Sequence, residues 1–269
     1  VFKDFVGSST DPMDYGSISH GTLMAGLLIS NEFQIGIAPN VTLGMAAALS
    51  ADGDNNTGSE TRVGDAIRWC VFDFEADIIS LSLGGEQDQS ASREGPAVSA
   101  TRQAIDEGIF VVAAAGNDGG YADDGFVSAP GNVNLAITVG ASNRDGSVWS
   151  QSSVGESIDS AGNPRIFPHQ KPELTAPGVG IVSTGKNNQW YSSSGTSDAT
   201  VFVAGALALI LEAHPELKPN PTSTTACIEL VKQALAESLS QDFSHDSRNG
   251  YGDLDAEMWL NRVSESPKC

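Results

Sequence analysis

The chain has 269 residues and a formal charge of −20, from 34 acidic residues against 14 Lys and Arg. This length and a hydrophobic content of 40% suit one large α/β domain with a sizeable core, spanning residues 1–269. Nucleic acid is not an expected partner, because phosphate binding needs clustered Lys and Arg. The acidic surplus indicates either a well-solvated surface or a saline or calcium-containing habitat, and the charge alone does not separate the two.

Strand-like and helix-like segments alternate along the chain. Apolar strands that alternate with helices are typical of a parallel sheet buried on both faces. We therefore predict a three-layer α/β fold, with a mainly parallel sheet and helices on both faces. A polar loop (52–58) and a Ser-, Gly- and Asn-rich segment (142–171) interrupt the pattern. The predicted strands are 2–6, 41–49, 78–83, 109–115, 135–141 and 181–183, and the predicted helices are 22–29, 61–74, 96–107, 197–213 and 222–239.

A hydroxyl stands at the start of the most apolar of these helices. Residues 201–211 are apolar all round, which is typical of a buried helix, and the run is too short to span a bilayer. Ser197 therefore lies where free N–H groups and the positive end of a helix dipole favour a developing anion. The simpler interpretation is that Thr196 or Ser197 only caps the helix.

Two further stretches of the sequence favour a catalytic role for Ser197 over a capping role. Serine hydrolysis needs a nucleophile, a base and an oxyanion donor, and Ser197, His20 and Asn117 could fill these roles. His20 lies in the stretch S-H-G-T, and Asn117 ends the run A-A-A-G-N. Taken singly, His20 would be a satisfied polar residue and Asn117 a turn residue after a buried strand.

Together, the motifs H-G-T-x-x-A-G, A-A-A-G-N and G-T-S-x-A, with V-A-G shortly after, resemble the subtilisin-like serine proteases from about residue 4 to residue 256. The resemblance implies an endopeptidase that cleaves peptide or protein substrates through an acyl-enzyme. His20 would be the general base, Ser197 the nucleophile and Asn117 the side-chain donor to the oxyanion. No cofactor is required for this chemistry, and an extracellular or cell-surface location is expected.

The same resemblance implies a set of substrate-binding residues. The segment L-S-L-G-G (81–85) looks like the family's strand whose backbone pairs with an extended peptide. Asp118 would lie near the first specificity pocket and could pair with a basic substrate side chain, although a solvated turn in N-D-G-G is the favoured interpretation. The implied lining residues are Ser82, Leu83 and Gly84 on one wall, Ala113, Ala114, Ala115 and Gly116 on the other, and Gly58 on the opposite edge.

The family's catalytic Asp has no counterpart in the sequence. In the family it ends an early apolar strand as Asp-[ST]-Gly, and none of Asp4, Asp11 and Asp14 follows such a run. We therefore expect the Asp-bearing strand upstream of Val1, in a segment or propeptide that partners this chain. The alternative is a catalytically silent member of the family with a peptide-binding, structural or assembly role.

Other departures from the family's pattern surround the motifs. Ser19 stands where a Gly usually precedes the His, Leu23 replaces a His, and Val201-Phe202 replaces Pro-His. Asp198 replaces the usual Met after the nucleophile. A carboxylate there favours the helix start but should oppose a developing oxyanion, unless it is turned away or paired.

Metal and disulfide signals are sparse. Asp52, Asp54 and Asn56 alternate as oxygen ligands that suit a structural calcium ion, although an Asn/Gly turn explains them as well. An odd number of cysteines gives no disulfide framework. A Cys227–Cys269 bridge would staple the tail to the preceding helix.

Overall fold

The fold is built on a parallel sheet in a computed structural model that describes residues 1–31, 35–53, 55–85, 95–120, 123–159, 162–219, 225–266 and 269. The helices are α1 (His20–Ile29), α2 (Glu60–Phe72), α3 (Pro96–Asp106), α4 (Thr196–Ala213), α5 (Thr225–Leu239) and α6 (Ala256–Glu265). The strands are β1 (Phe2–Asp4), β2 (Met45–Ala47), β3 (Ser50–Asp52), β4 (Asn55–Thr57), β5 (Ile78–Leu81), β6 (Phe110–Ala114), β7 (Ile137–Ser142), β8 (Leu174–Pro177), β9 (Val179–Gly185) and β10 (Gln189–Ser194).

The central sheet has the order β5-β6-β7-β8 and is parallel throughout. Every residue of β6 and β7 is buried. Since successive residues of a strand point to opposite faces, both faces of the sheet are covered. α4 packs against all four strands, whereas α3 packs against β6 and carries α2 beside it. The predicted α/β fold, with a mainly parallel sheet between helices, is confirmed.

α4 is the central helix, and its composition explains why. Small residues let it approach its neighbours closely: a Cβ on Gly205 would lie 2.6 Å from Ile37 Cγ2. By length and composition α4 could also cross a bilayer, but 67% of the helix is buried within the fold. It is therefore the core helix that its all-round apolar character predicts.

Several elements of the fold, including β10, differ from the sequence prediction. The predicted polar loop (52–58) contributes to an antiparallel hairpin, β3–β4, because pairing of Ser50 with Thr57 outweighs the poor strand propensity of its polar residues. β2 is shorter than predicted and pairs only with β1. β8 and α6 were not expected. α6 is capped by the Asp255 carboxylate, which accepts from Met258 N, and it buries Trp259.

Two strand edges face a cavity of about 980 Å³, here called the inter-strand cavity, between residues 45–49 and 76–83. β2 pairs only with β1, and β5 pairs only with β6. Each strand therefore has one edge without a strand partner in the described part of the chain. His20, Met24 and Val201 line the same cavity. The cavity thus connects two unpaired strand edges with a candidate catalytic residue.

Cys227 and Cys269 form a disulfide that ties the end of the chain to α5, which confirms the predicted pairing. Trp259 reinforces the attachment of α6, because its indole Nε1 donates to Val231 O in α5 at 3.0 Å. Cys70 remains a free thiol.

We predict that Cys227→Ser lowers the free energy of unfolding by about 2–4 kcal/mol, because the bridge restricts the unfolded chain across 42 residues. Urea denaturation of the variant and the wild type measures the change. A reductant should bring the wild type to the stability of the variant and leave the variant unaffected. Equal stability of the two oxidised proteins would contradict the prediction.

Candidate active site

Ser197 is the second residue of α4, and the N-cap residue Gly195 before the helix has an extended backbone. Its hydroxyl donates to Ser82 O at 3.1 Å, and the Ser82 hydroxyl donates to Ser197 O at 2.9 Å. These reciprocal hydrogen bonds join positions 115 residues apart in sequence. The fold therefore brings the candidate nucleophile against the end of β5, at the wall where a peptide substrate was expected.

Asn117 follows β6 and is held by Thr196. The Asn117 Oδ1 atom accepts hydrogen bonds from Thr196 N at 2.9 Å and from Thr196 Oγ1 at 3.0 Å. This leaves the Nδ2 group to donate elsewhere, on the side of Gly195, whose Cβ would lie 3.4 Å from Nδ2 if it had one. Thr196 is fully buried. From the sequence Thr196 is expected only as a helix cap, and the structure reveals its contact with Asn117.

His20 is the first residue of α1 and lines the inter-strand cavity. Burial lowers the pKa of His20, and the negative charge of Asp14 opposes this shift only in part. A neutral imidazole at pH 7 can accept a proton. No hydrogen bond joins His20 to Ser197 in the described part of the chain. α1 and α4 pack together, yet the Ser197 hydroxyl is engaged with Ser82 instead.

The negative charge of Asp14 acts on His20, but the Asp14 oxygens already accept hydrogen bonds from Gly16 and Thr22. Its Oδ2 atom accepts from Thr22 N at 2.8 Å and from Thr22 Oγ1 at 2.6 Å, and its Oδ1 atom accepts from Gly16 N at 2.9 Å. Asp4 is similarly engaged by backbone N–H groups, of which that of Gly7 contributes most, and they lower its pKa to about 2. Both carboxylates therefore order the loop before α1.

The two expected pocket walls meet at Ser128, a residue that the sequence analysis did not single out. A Cβ on Gly84 would lie 2.5 Å from Ser128 Cβ, and one on Gly116 would lie 2.5 Å from Ser128 Oγ. Gly85 and Ala129 exchange backbone hydrogen bonds of 3.0 and 3.1 Å directly behind this point. The structure thus brings the walls together, with Leu83 and Ala129 half-buried and the wall residues Ala113, Ala114 and Ala115 buried.

The remaining predicted residues lie at the margins of this site. Gly58 follows β4, and a Cβ on it would lie 2.6 Å from Leu49 Cδ2. The Asp118 carboxylate accepts a hydrogen bond from Ser153 Oγ, which anchors it beside Gly116. This contact is compatible with a turn role, and a role in substrate preference stays a prediction.

The calcium candidates are divided between the strands of the β3–β4 hairpin. Asn56 Oδ1 accepts from Ser17 N at 2.7 Å, and Asp52 is exposed at the end of β3. Asp54 lies outside the described residues. Among the residues that are described, no group of three or more His, Cys, Asp or Glu side chains could hold a metal ion. A structural calcium ion here stays a prediction.

Asp198 is buried beside the candidate nucleophile, with 1% of its surface exposed. Its Oδ1 atom accepts a hydrogen bond of 2.6 Å from Ser193 Oγ in β10. Burial raises the pKa of Asp198 to about 6, although the hydrogen bond from Ser193 acts in the opposite direction. The sequence predicts that this carboxylate opposes an oxyanion unless it is turned away or paired. In the structure it is paired, but its partner is a neutral hydroxyl.

The architecture is that of an α/β protein with a subtilisin-like arrangement of sheet and central helix. The model of the Subtilase family matches residues 3–252. Because the match spans most of the sequence, the chain belongs to the subtilase family.

Individual relatives agree with this assignment. Serine protease AprX of Bacillus subtilis (strain 168) is 33% identical over 267 residues, covering 90% of this chain and 58% of AprX. Subtilisin NAT of Bacillus subtilis subsp. natto is 35% identical over 214 residues, covering 78% of this chain and 50% of that protein. The solved structure of prenylagaramide maturation protease PagA has a TM-score of 0.73 and 25% identity, covering 97% of this chain and 86% of PagA. The chain therefore spans 50–58% of the length of these two curated relatives.

We predict that Asp198→Asn stabilises the fold at pH 8 but not at pH 4. A raised pKa in the folded state means that the folded protein favours the neutral carboxyl, so wild-type stability falls as pH rises from about 4 through about 6. The rise of the pKa from 3.8 to about 6 corresponds to about 3 kcal/mol at pH 8.

Urea denaturation of both proteins between pH 4 and pH 8 measures this difference. Asp106→Asn is a matched control, since Asp106 is exposed at the end of α3. A stability difference between wild type and Asp198→Asn that stays constant with pH would contradict the prediction.

Proposed function

We propose that this chain is the catalytic part of a serine endopeptidase that cleaves peptide bonds through an acyl-enzyme on Ser197. The observation that carries the proposal is the fixing of Asn117 by Thr196. It leaves the Asn117 Nδ2 group and the Ser197 N–H on the same side of the loop at Gly195, at the start of α4. Paired donors of this kind stabilise an oxyanion.

In the proposed reaction, the Ser197 hydroxyl leaves Ser82 O and turns towards His20. His20 takes the Ser197 proton as Oγ attacks the scissile carbonyl carbon, and the carbonyl oxygen becomes an anion held by Asn117 and the Ser197 N–H. The same proton then passes from His20 to the leaving amine as the peptide bond breaks. Water then attacks the acyl-enzyme through the same two steps, which releases the carboxylic acid product and restores Ser197.

The carboxylate that orients His20 is proposed to come from a strand outside these 269 residues. His20 has no hydrogen bond to a carboxylate in the described residues, and it lines the inter-strand cavity. That cavity lies between the unpaired edges of β2 and β5, which offer backbone donors and acceptors to an extended segment. A segment of about five residues, roughly 17 Å long, would pair with both edges, and an Asp at its end would reach His20.

The substrate is proposed to be an extended peptide or protein segment that pairs with residues 82–84. Ser128 would limit the depth of the first specificity pocket, because it lies between the glycines of the two walls. We also propose an extracellular or cell-surface location. The Cys227–Cys269 disulfide supports it, since such bonds persist in oxidising surroundings. One relative at 31% identity, from Paenibacillus polymyxa, is named an intracellular serine protease.

The second candidate function is a catalytically silent domain that binds peptides or serves in assembly. Two observations favour it. The Ser197 hydroxyl is hydrogen-bonded to Ser82 O rather than to His20, and Asp198 places a buried carboxylate next to Ser197. Covalent labelling of Ser197 separates the two functions, because only an activated hydroxyl reacts with a fluorophosphonate.

We predict that a fluorophosphonate labels Ser197 once a strand peptide fills the inter-strand cavity. The peptide is an apolar run ending in Asp-Ser-Gly, added to the purified chain, and mass spectrometry locates the adduct. In the reaction Ser197 Oγ bonds to phosphorus, fluoride leaves, and His20 takes the proton. A peptide with Asn for Asp should label up to about 10⁴-fold more slowly, because it cannot hold His20 in the correct tautomer.

Ser197→Ala is the control that excludes labelling elsewhere. Binding of the peptide is followed separately by its effect on thermal unfolding. A bound peptide without a Ser197 adduct at any pH between 4.5 and 9 would overturn the endopeptidase proposal and favour the silent domain.

We also predict that Thr196→Val lowers kcat by roughly three- to tenfold with little change in KM, because one hydrogen bond that orients Asn117 is lost. The matched control is Thr200→Val, since the Thr200 hydroxyl donates to Thr196 O one turn further along the same helix. Kinetics on a peptide substrate, with the cavity filled, measure both variants. An equal loss in both would assign the effect to helix stability rather than to Asn117.

A further inference from the structure

Asp198 is a buried acid that the proposed chemistry does not use. It follows Ser197 in the first turn of α4, and only 1% of its surface is exposed. Consecutive Cα atoms lie about 3.8 Å apart, so the backbone of Asp198 directly adjoins that of Ser197, whose N–H is a proposed donor to the oxyanion. Such a position gives its charge a direct influence on Ser197.

Among the residues that the structure describes, no positively charged side chain pairs with Asp198. Its hydrogen-bond donor is Ser193 Oγ at 2.6 Å, which stabilises a carboxylate without cancelling its charge. The four strands of the central sheet pack against α4 and carry no titratable side chain. None of the titratable groups on the other elements around α4 is among the causes of the Asp198 pKa shift. These groups are His20 on α1, Tyr191 on β10, Glu216 in the turn after α4, Glu212 on α4 itself, and Glu257, Arg262 and Glu265 on α6.

The electrostatics of the helix start put Asp198 in competition with the reaction. The positive end of the α4 dipole and its free N–H groups favour one negative charge nearby. An ionised Asp198 already supplies that charge, so a second charge on the oxyanion is formed against repulsion. A neutral Asp198 leaves the dipole and the donors to the oxyanion.

We propose that Asp198 acts as an electrostatic brake on Ser197: the ionised carboxylate slows acylation, and the neutral carboxyl permits it. The inference rests on the proposed function and adds its regulation by acidity. Burial raises the pKa of Asp198 to about 6, which puts its titration within the range of mildly acidic surroundings. The enzyme would therefore be an acid-active member of its family.

The brake predicts a particular shape for the pH profile. Acylation rises with pH as His20 loses its proton, and burial lowers the pKa of His20 below its ordinary 6.5. In the wild type the rate then falls again as Asp198 ionises near pH 6, which gives a narrow bell. Asp198→Asn keeps the shape of the side chain and its hydrogen bond from Ser193, but it should show only the rising limb.

The test is the rate of Ser197 labelling by a fluorophosphonate between pH 4.5 and pH 9, with the strand peptide bound. At pH 8 Asp198→Asn should react roughly ten- to hundredfold faster than the wild type, and at pH 4.5 the two should react alike. Ser193→Ala should move the falling limb to higher pH, because it removes the donor that favours the ionised carboxylate. Asp106→Asn, an exposed acid on α3, should reproduce the wild-type profile.

Each outcome assigns the result to one proposal. If the wild type labels and Asp198→Asn is no faster at pH 8, Asp198 is only structural and the brake is overturned while the endopeptidase stands. If Asp198→Asn labels and the wild type does not at pH 8, the brake is supported in its strongest form. If neither protein labels at any pH with the peptide bound, the endopeptidase proposal falls, and the brake falls with it.

Discussion

The packing of α4 against the parallel sheet is the constraint on which the candidate site depends. Parallel strands end at one edge of a sheet, so the residues after β5 and β6 emerge side by side. α4 crosses all four strands and starts at that edge, which places Ser197 against Ser82 and Thr196 against Asn117. The proposed nucleophile, substrate wall and oxyanion donor are thereby assembled by one helix–sheet interface.

Glu173 and Asp198 are both buried carboxylates, but their charges are compensated to different degrees. Burial would raise the pKa of Glu173, but Lys171 and Lys232 outweigh burial and hold it below its ordinary value, through contacts of 2.9 and 2.6 Å. This cluster fastens α5 to the sheet, and the negative charge of Glu173 is compensated by the two lysines. In the described part of the chain the donor to Asp198 is a neutral hydroxyl, so the charge of an ionised Asp198 is not compensated there. The paired Glu173 joins two elements of the fold, whereas the charge of Asp198 is the proposed control of Ser197.

Two features meet at the inter-strand cavity. β2 and β5 each have an edge without a strand partner, and His20 has no hydrogen bond to a carboxylate, among the described residues. β1 and β2 form their own parallel pair, separated from β5 by the cavity that His20 lines. A strand in the cavity would unite the two sheets, and a carboxylate on that strand would supply the partner that Asp14 does not, since Asp14 is engaged by Thr22 and Gly16. Sheet completion and activation of His20 would then be one event.

The sequence by itself determined the fold class, the buried helix behind Ser197 and the family, because apolar periodicity and short motifs are local properties. It also named the residues that the structure brings together at Ser197, Asn117 and Ser82. Only the tertiary structure revealed that Thr196 orients Asn117, that Ser128 joins the pocket walls, and that Asp198 is buried against Ser193. These contacts join segments distant in sequence or depend on which side chains are buried, and neither is encoded in the pattern of neighbouring residues.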